Sequence, residues 1–210
     1  FTVLTPDLPG HGTGRTGPFS LEQAVTQAAA LIQQASPGGA IVAGDSLGGY
    51  TAMALAATHP TLVRGLVLAG CTAEFTGLFG WTARAGGFLT SVLTAMLGPE
   101  RVLAKTLTQV AKIFPQAPME AILAGGLNIG ARREAVSDLA GRRFIEPLIR
   151  YQGPILFVNG EQDQPNRNGE PAFRRAFPRA NLVVFEGSPH GVSLRDPARF
   201  ATLVGEFARR

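Results

Sequence analysis

The stretch AIVAGDSLGGYTAMALAAT, residues 40–58, decides how this sequence is expected to fold. Its first four residues form a short apolar run, which is typical of a strand buried on both faces. From Tyr50 onward, small and apolar residues predict a buried helix that ends at His59. Between the two lies Gly44-Asp45-Ser46-Leu47-Gly48, so a serine with flanking glycines occupies the turn from strand to helix.

The two glycines of this turn are expected to serve its geometry. A Cβ at Gly44 or Gly48 is predicted to collide with neighbouring backbone, whereas glycine permits a sharp turn. Such a turn exposes the Ser46 hydroxyl above the edge of a sheet. It also leaves the backbone N–H of Leu47 available to a developing oxyanion. The pattern therefore predicts a serine nucleophile with one oxyanion donor.

The segments on both sides predict further strands and helices of an α/β fold. Four more strands are predicted, at residues 1–5, 64–70, 154–159 and 181–185. Residues 7–18 form a long loop rich in turn residues, and such loops are usually functional. Ser20 is a candidate N-cap of the next helix, and later helices are predicted around residues 171–177 and from Asp196 onward.

The strand signal disappears between residues 73 and 150. Helical periodicity replaces it in four pieces, at residues 80–97, 99–114, 118–127 and 133–151. We therefore predict an α/β core formed by residues 1–72 and 151–210, with residues 73–150 inserted into it as a helical cap.

A serine hydroxyl needs a base to take its proton, and the chain has three histidines. His190 is the best candidate, because it lies in a turn after the last predicted strand, where a loop can reach the serine. His11, in the loop after residues 1–5, is the alternative. His59 lies at the far end of the helix that follows Ser46, roughly 20 Å away by helical rise, and is too distant.

A catalytic histidine requires a carboxylate that orients its ring and stabilises the imidazolium. Asp163 lies in a turn after a predicted strand, at the edge of a parallel sheet where catalytic groups gather. Glu161 in the same turn and the more remote Glu74 are the alternatives. The order serine, aspartate, histidine along the chain favours Ser46, Asp163 and His190 as a triad.

These motifs resemble the α/β-hydrolase superfamily, and the resemblance covers nearly the whole chain. Residues 7–12, DLPGHG, are similar to the family's loop after strand 4, and residues 44–49 to its nucleophile elbow after strand 5. Residues 160–163 and Pro189-His190 resemble the turns after strands 7 and 8. The resemblance implies a mostly parallel sheet flanked by helices, a helical cap between strands 6 and 7, and hydrolysis without a cofactor through a covalent acyl-enzyme.

One departure from the family concerns the start of the chain. The family begins with strands 1 to 3, and the loop after strand 3 supplies a second oxyanion donor, for which this sequence offers no matching residue. Strand 3 lies between strands 4 and 5, so without it two rows of backbone groups would be unpaired, at about 1–3 kcal/mol for each group. We therefore expect about 20 to 35 further residues upstream, forming two or three strands.

Composition excludes several other classes of protein. Of the 210 residues, 45% are hydrophobic and 16% are charged, which suits one globular domain with an insertion and excludes intrinsic disorder. No apolar run reaches the roughly 18 residues of a membrane span. The single cysteine, Cys71, is predicted to be a buried small side chain, and it leaves no basis for a disulfide or, with three histidines, for a metal site.

The net charge of +4 does not indicate a nucleic-acid partner, because the basic residues are scattered and lack interleaved aromatics. A modest arginine group comprises Arg132, Arg133, Arg142, Arg143 and Arg150. Since carrier proteins are acidic, this group makes an acyl-carrier protein a candidate partner. Phe75, Phe79 and Trp81 are the predicted substrate contacts, because they follow the strand at residues 64–70, and an apolar pocket favours a small-molecule acyl substrate.

The main prediction is a carboxylesterase-like serine hydrolase that cleaves esters with an apolar acyl or aryl group. Alternatives with the same triad are a C–C bond hydrolase, a lactonase, or an esterase acting on acyl groups bound to a carrier protein. A ligand-sensing protein on the same fold, with slow or single-turnover hydrolysis, is a third hypothesis. We expect a cytoplasmic location, with secretion left open.

Overall fold

The computed structural model describes residues 1–12, 17–125 and 129–210, and within them the strands form one parallel sheet. Its order is β1-β2-β3-β4, and the strands are β1 (Ala40–Asp45), β2 (Val63–Ala69), β3 (Ile155–Gly160) and β4 (Asn181–Phe185). The predicted strands at residues 40–43, 64–70, 154–159 and 181–185 are therefore confirmed, with small changes at their ends.

Helices connect these strands and cover the sheet. They are α1 (Leu21–Ala35), α2 (Leu47–Thr58), α3 (Gly77–Leu97), α4 (Pro99–Val110), α5 (Gln116–Gly125), α6 (Ile129–Leu139), α7 (Ile145–Leu148), α8 (Gln164–Ala176), α9 (Val192–Arg195) and α10 (Pro197–Ala208). Helix α1 begins as predicted, because the Ser20 hydroxyl accepts a hydrogen bond from the Gln23 N–H at 3.3 Å.

Two apolar clusters, one on each face, bury the sheet. Leu66 and Leu68 of β2 contribute to a cluster with α1, α2 and α8. Their neighbours Val67 and Ala69 point the other way and pack with Phe207 of α10. Successive side chains of a strand lie on opposite faces, so the near-continuous apolar sequence of β2 is explained by burial on both sides.

The five helices from α3 to α7 lie between β2 and β3, and no strand occurs among the described residues of this insertion. Helix α3 packs against α6 and α4. The expected helix at residues 133–151 is interrupted, because α6 ends at Leu139 and Gly141 turns the chain with φ +85°. Leu127, at the end of the piece expected at residues 118–127, lies outside the described residues.

Polar contacts fasten this insertion to the start of α1. The carboxylates of Glu134 and Asp138, both on α6, accept hydrogen bonds from the N–H groups of Phe19 and Leu21 at 3.3 and 3.2 Å. Arg142, after α6, forms an ion pair with Glu22 at 2.7 Å. The first amides of a helix have no acceptor within it, so the insertion supplies acceptors that α1 needs.

The prediction of a strand at residues 1–5 is wrong. This segment pairs with none of the four strands, and Phe1 and Val3 are 83% and 77% exposed. The Phe1 ring lies instead beneath the guanidinium of Arg209, 5.7 Å away. A β-branched, aromatic sequence is compatible with a strand, but only hydrogen bonds to a neighbour make one.

Helix α8 starts earlier than expected, at Gln164 rather than near residue 171. Pro165 lies in its first turn, where proline lacks only an N–H that would have no acceptor. Pro171 lies inside the helix, which continues to Ala176 because Phe173 is buried in the core. The early start places Asn166 next to Asp163.

Candidate active site

The turn at Ser46 has the strained geometry expected of an exposed nucleophile. Ser46 has φ +53° and ψ −114°, and within the described chain it is the one non-glycine residue with positive φ. Such a conformation costs about 1–3 kcal/mol and persists where surrounding structure enforces it. The N–H of Ser46 donates to the carbonyl of Ala69 at 2.8 Å, which fixes the turn to the end of β2.

Gly44 and Gly48 do not play the equal roles that the sequence motif suggested. A Cβ on Gly44 would lie 2.3 Å from the backbone of Gly48, so Gly44 is required for close approach of β1 and α2. A Cβ on Gly48 would meet nothing within 4 Å, and that part of the prediction is wrong. The second crowded position is Gly49, where a Cβ would lie 2.4 Å from the Cys71 Sγ.

The structure brings Ser46, His190 and Asp163 together in a hydrogen-bonded series. The Ser46 Oγ lies 2.9 Å from the His190 Nε2, and the His190 Nδ1 lies 2.7 Å from the Asp163 Oδ2. An ionised carboxylate can only accept, so Nδ1 carries the proton and Nε2 accepts from the serine hydroxyl. The His190 side chain is 50% exposed, whereas that of Asp163 is 4% exposed.

Asp163 is held in place by its own turn and by α8. Its N–H donates to the carbonyl of Gly160 at 3.1 Å, and its Oδ2 also accepts from the Asn166 Nδ2 at 2.8 Å. Gly160 lies against the histidine loop, because a Cβ there would be 2.2 Å from the Pro189 carbonyl. Asn166 was not among the predicted residues, although Pro165 signals a helix start that places it beside Asp163.

The alternative bases and acids are engaged elsewhere. The His11 Nδ1 donates to the Pro9 carbonyl at 3.0 Å, and His59 lies at the opposite end of α2 from Ser46. The carboxylate of Glu161 accepts from the Gly187 N–H at 2.8 Å. Glu74 accepts from the N–H groups of Phe144 and Ile145, at 2.7 and 2.9 Å, and so caps α7.

The loop that carries His190 is in contact with the helical insertion. Gly191 has φ +84°, and a Cβ there would lie 2.9 Å from the ring of Phe114, which follows α4. The Arg195 guanidinium of α9 donates to the Ile113 carbonyl at 2.8 Å. The described contacts therefore bring Phe114, rather than a residue of α3, next to the loop that carries His190.

The three predicted substrate contacts differ in their surroundings. Phe75 is buried and packs edge-on against Tyr50, with ring centroids 5.0 Å apart. Phe79 is half-buried and packs on Phe75 at 5.2 Å. Trp81, on the first turns of α3, is 68% exposed. Whether any of them contacts substrate stays a prediction.

Leu47 opens α2, directly after the nucleophile. The N–H groups of the first helical turn have no acceptor within the helix, so that of Leu47 is available to a bound oxygen. The side chain of Asp45, on the other side of Ser46, accepts from the N–H and hydroxyl of Ser193. Sequence reasoning assigned no role to Asp45, because the motif accepts any residue between Gly44 and Ser46. The signal that could have identified it is a charged residue at the end of an otherwise apolar strand.

Burial changes the ionisation of several groups behind the site. It raises the pKa of the Asp45 carboxyl above its ordinary value, although the hydrogen bonds from Ser193 oppose this. It also raises the pKa of the Cys71 thiol and of the Tyr50 phenol well above their ordinary values, so both groups stay neutral near pH 7. Cys71 is fully buried, as predicted.

Within the described ranges there is no cluster of metal-ligating side chains and no helix that could span a membrane. No three histidine, cysteine, aspartate or glutamate side chains group there as metal ligands. No helix in residues 1–12, 17–125 or 129–210 is long and apolar enough to cross a membrane. Of the arginine group, Arg142 is ion-paired, Arg133, Arg143 and Arg150 are exposed, and the Arg132 side chain lies outside the described part.

A strained serine at a strand-to-helix turn, a parallel sheet and a serine–histidine–aspartate series are the features of one class of enzyme. The model of the alpha/beta hydrolase family matches residues 1–203, and the chain belongs to that family. It is therefore a hydrolase of the α/β-hydrolase fold.

Among individual proteins, the chain is similar to several pimeloyl-[acyl-carrier protein] methyl ester esterases. One from Neisseria meningitidis serogroup A is 34% identical over 219 residues, which cover 98% of this chain and 67% of the relative. One from Yersinia enterocolitica is 26% identical, and the match covers 100% of this chain and 84% of the relative. One from Nitrosomonas europaea is 29% identical and covers 96% and 83%.

Solved structures support the fold. A carboxylesterase of Nitrososphaera gargenis superposes with a TM-score of 0.78 at 17% identity, covering 96% of this chain and 77% of the other. An esterase from Exiguobacterium antarcticum gives a TM-score of 0.77 at 17% identity, covering 97% and 80%. At these identities the likeness shows the α/β-hydrolase fold alone.

Proposed function

We propose that the protein is an esterase in which Ser46 is the nucleophile, His190 the base and Asp163 the orienting carboxylate. The observation that carries this proposal is the series from the Ser46 Oγ through the His190 ring to the Asp163 Oδ2, with contacts of 2.9 and 2.7 Å. These distances are within the range of hydrogen bonds that activate a nucleophile.

The proposed reaction has two stages. His190 takes the Ser46 proton as the Oγ attacks the ester carbonyl carbon, and the Leu47 N–H stabilises the charge on the carbonyl oxygen. The carbon–oxygen bond to the alcohol then breaks, and His190 donates its proton to the leaving alkoxide. In the second stage His190 takes a proton from water, whose oxygen attacks the acyl carbon of the acyl-enzyme. The bond from that carbon to the Ser46 Oγ then breaks, and His190 donates its proton to the Oγ, which releases the acid and restores the Ser46 hydroxyl.

For the substrate, we favour the ester of an acyl chain bound to a carrier protein over a free small-molecule ester. The relatives named above are carrier-protein methyl ester esterases, and the chain shares up to 34% identity with those named here. The exposed Arg133, Arg143 and Arg150 support this choice, because acidic surfaces of a carrier would be attracted to them. A carboxylesterase acting on free esters is the second candidate.

The insertion would act in this scheme as the cap predicted from residues 73–150, over a core of residues 1–72 and 151–210. The contact between Phe114 and Gly191 supports that role, since it brings an aromatic ring of the insertion beside the histidine loop. Phe75, Phe79 and Trp81 are proposed as further apolar surface for the acyl chain.

Labelling with a fluorophosphonate, together with hydrolysis of an ester panel, tests the nucleophile. Ser46→Ala should lose the label and lower kcat by about 10⁴–10⁶-fold while folding normally. Ser36→Ala is the matched control, because it removes a hydroxyl that bonds the Gly39 carbonyl at the other end of β1. Turnover by Ser46→Ala above about a tenth of wild type would contradict the serine mechanism.

The substrate class is tested by comparing the methyl ester of a carrier-linked acyl chain with the same ester free in solution. The carrier-linked ester should react with the higher kcat/KM, and the advantage should shrink as salt rises from 50 to 500 mM, which screens charge attraction. Equal kcat/KM values for the two esters would favour the carboxylesterase alternative.

A further inference from the structure

The side chain of Asp45 reaches across the site to the loop that carries His190. Its Oδ2 accepts a hydrogen bond from the Ser193 N–H at 3.2 Å and another from the Ser193 hydroxyl. Ser193 lies in α9, three residues beyond His190. The carboxylate of Asp45, the residue before Ser46, therefore connects the turn at Ser46 to α9, the helix that follows His190.

The other oxygen of Asp45 lies on the same side as the imidazole. Oδ1 is buried and has no hydrogen-bond partner among the residues that the structure describes. A Cβ placed on Gly70 would lie 3.3 Å from this oxygen and 3.1 Å from the His190 Cε1. The carboxylate and the ring therefore border one small space above Gly70, which a side chain at that position would fill.

We propose that Asp45 is a positioning residue for His190, acting through Ser193 and through its negative charge. The bonds to Ser193 hold the start of α9, and with it the loop at residues 189–191, where the Nε2 meets the Ser46 Oγ. The charge favours the imidazolium that forms when His190 takes the serine proton. This inference rests on the proposed function, because it assigns a supporting role within the same site.

Among the residues that the structure describes, two carboxylates border the His190 ring, those of Asp45 and Asp163. Asp163 lies in the turn after β3. Cys71 after β2 and Tyr50 on α2 lie behind the carboxylates and are neutral, because burial raises the pKa of both. Arg195 of α9 directs its guanidinium to the Ile113 carbonyl. Asp45 is thus a second carboxylate, besides Asp163, whose charge can stabilise the imidazolium.

Two substitutions separate the two effects. Asp45→Asn keeps the size and an acceptor for Ser193 but removes the charge, whereas Ser193→Ala keeps the charge and removes the hydroxyl bond. The matched controls are Asp196→Asn, at the exposed N-cap of α10, and Ser36→Ala. Thermal unfolding of each variant establishes that it is folded before its kinetics are compared.

We expect Asp45→Asn to lower kcat by about 10–100-fold with KM within about twofold of wild type. The acid limb of its kcat/KM profile should lie at a pH about 0.5–1 lower, because the lost charge no longer favours protonated His190. Ser193→Ala should lower kcat by about 3–10-fold and leave the limb in place. Both controls should match wild type in kcat and in the position of the limb.

Titration of the His190 ring by NMR measures the effect of Asp45 on the pKa of His190 directly, without substrate turnover. In Asp45→Asn the midpoint should fall by the same amount as the kinetic limb. Wild-type kcat in both variants and an unchanged His190 titration would overturn the inference. A wild-type protein that neither hydrolyses esters nor takes the fluorophosphonate would instead overturn the proposed function, and the NMR titration would still test the coupling of Asp45 to His190.

Discussion

Ser46 combines an exposed hydroxyl with a backbone conformation that a serine rarely adopts. The strain is enforced from two sides, because β1 and α2 meet at Gly44 and the Ser46 N–H bonds to the end of β2. A residue in such a position cannot relax toward its neighbours, so its hydroxyl stays directed at His190. In the proposed mechanism, rigidity of this kind would place the Ser46 Oγ and the His190 Nε2 before substrate binds.

The two glycines of the motif provide a prediction at this scale. Gly44→Ala should destabilise the protein by about 1–3 kcal/mol or more, because the new Cβ would lie 2.3 Å from backbone. Gly48→Ala should be neutral or stabilise by up to about 1 kcal/mol, since the site is open and alanine favours a helix. Urea denaturation of both variants measures the difference, and equal effects would contradict this account of the turn.

Single residues also mark the limit of what could be read from the sequence. Ser46, His190 and Asp163 could be predicted as a group because strand, turn and chain order restrict where such residues can lie, and the structure brings their side chains together. Asp45 and Asn166 were missed, because their roles depend on partners at positions 193 and 163 that only folding brings close. For Asn166 the proline at position 165 was a usable signal of the helix start.

At the scale of elements, the contacts between the insertion and the core include two that lie far apart in the sequence. Acceptors on α6 bind the first amides of α1, and the segment after α4 contacts the histidine loop through Phe114. The contact between α6 and α1 attaches the insertion to the core, and the contact through Phe114 brings the insertion next to the loop that carries His190. A change in the packing of the insertion can therefore reach His190 without touching Ser46.

The aromatic side chains of the insertion give the prediction at this scale. Phe114→Ala and Trp81→Ala should each lower kcat/KM for long-chain esters about tenfold more than for acetate esters, because each removes apolar surface from the proposed acyl site. Phe88→Ala is the matched control, since Phe88 is 71% exposed on α3, two turns beyond Trp81. An acyl-length series with the three variants measures the preference.

Equal losses across that series for Trp81→Ala would place Trp81 outside the substrate site. An effect of Phe88→Ala as large as that of Trp81→Ala would show that the exposed face of α3 acts through stability rather than through contact. Loss of chain-length preference in Phe114→Ala alone would restrict the acyl site to the neighbourhood of the histidine loop.

The elements themselves were predictable where the local pattern was strong. The four strands of the sheet were identified from apolar runs. Burial on both faces explains such a run in β2 and β3, whereas β1 and β4 lie at the edges of the sheet and are only partly buried, so the expectation of a fully buried strand at residues 40–43 is wrong. Residues 1–5 have a similar composition and yet lie outside the sheet, since pairing depends on a neighbour and not on composition. The break between α6 and α7 was also missed, although Gly141 was present to signal it.

For the whole molecule, the buried carboxylate at position 45 links stability to pH. The pKa of Asp45 is raised above its ordinary value of 3.8. At pH values just above 3.8, this carboxyl is therefore protonated more often in the folded protein than in the unfolded chain. Stability contributed by this group therefore falls as pH rises through that window. Asparagine at position 45 does not titrate and removes this loss.

We expect the free energy of unfolding of Asp45→Asn, measured relative to wild type, to increase between pH 4 and pH 7. Urea denaturation at each pH gives the difference, and Ser36→Ala serves as a variant without a changed titrating group. A difference that stays flat or decreases with pH would show that burial does not raise the pKa of the Asp45 carboxyl.

The burial of Cys71 has a practical consequence for studying motion in this protein. It is the single thiol in 210 residues, it has no exposed surface, and it lies against Gly49 directly behind the elbow. A thiol-specific reagent can react only after the packing around Cys71 opens, so the labelling rate measures how often that region opens. The native thiol of Cys71 can thus report local opening next to the turn at Ser46, and no cysteine has to be introduced for the measurement.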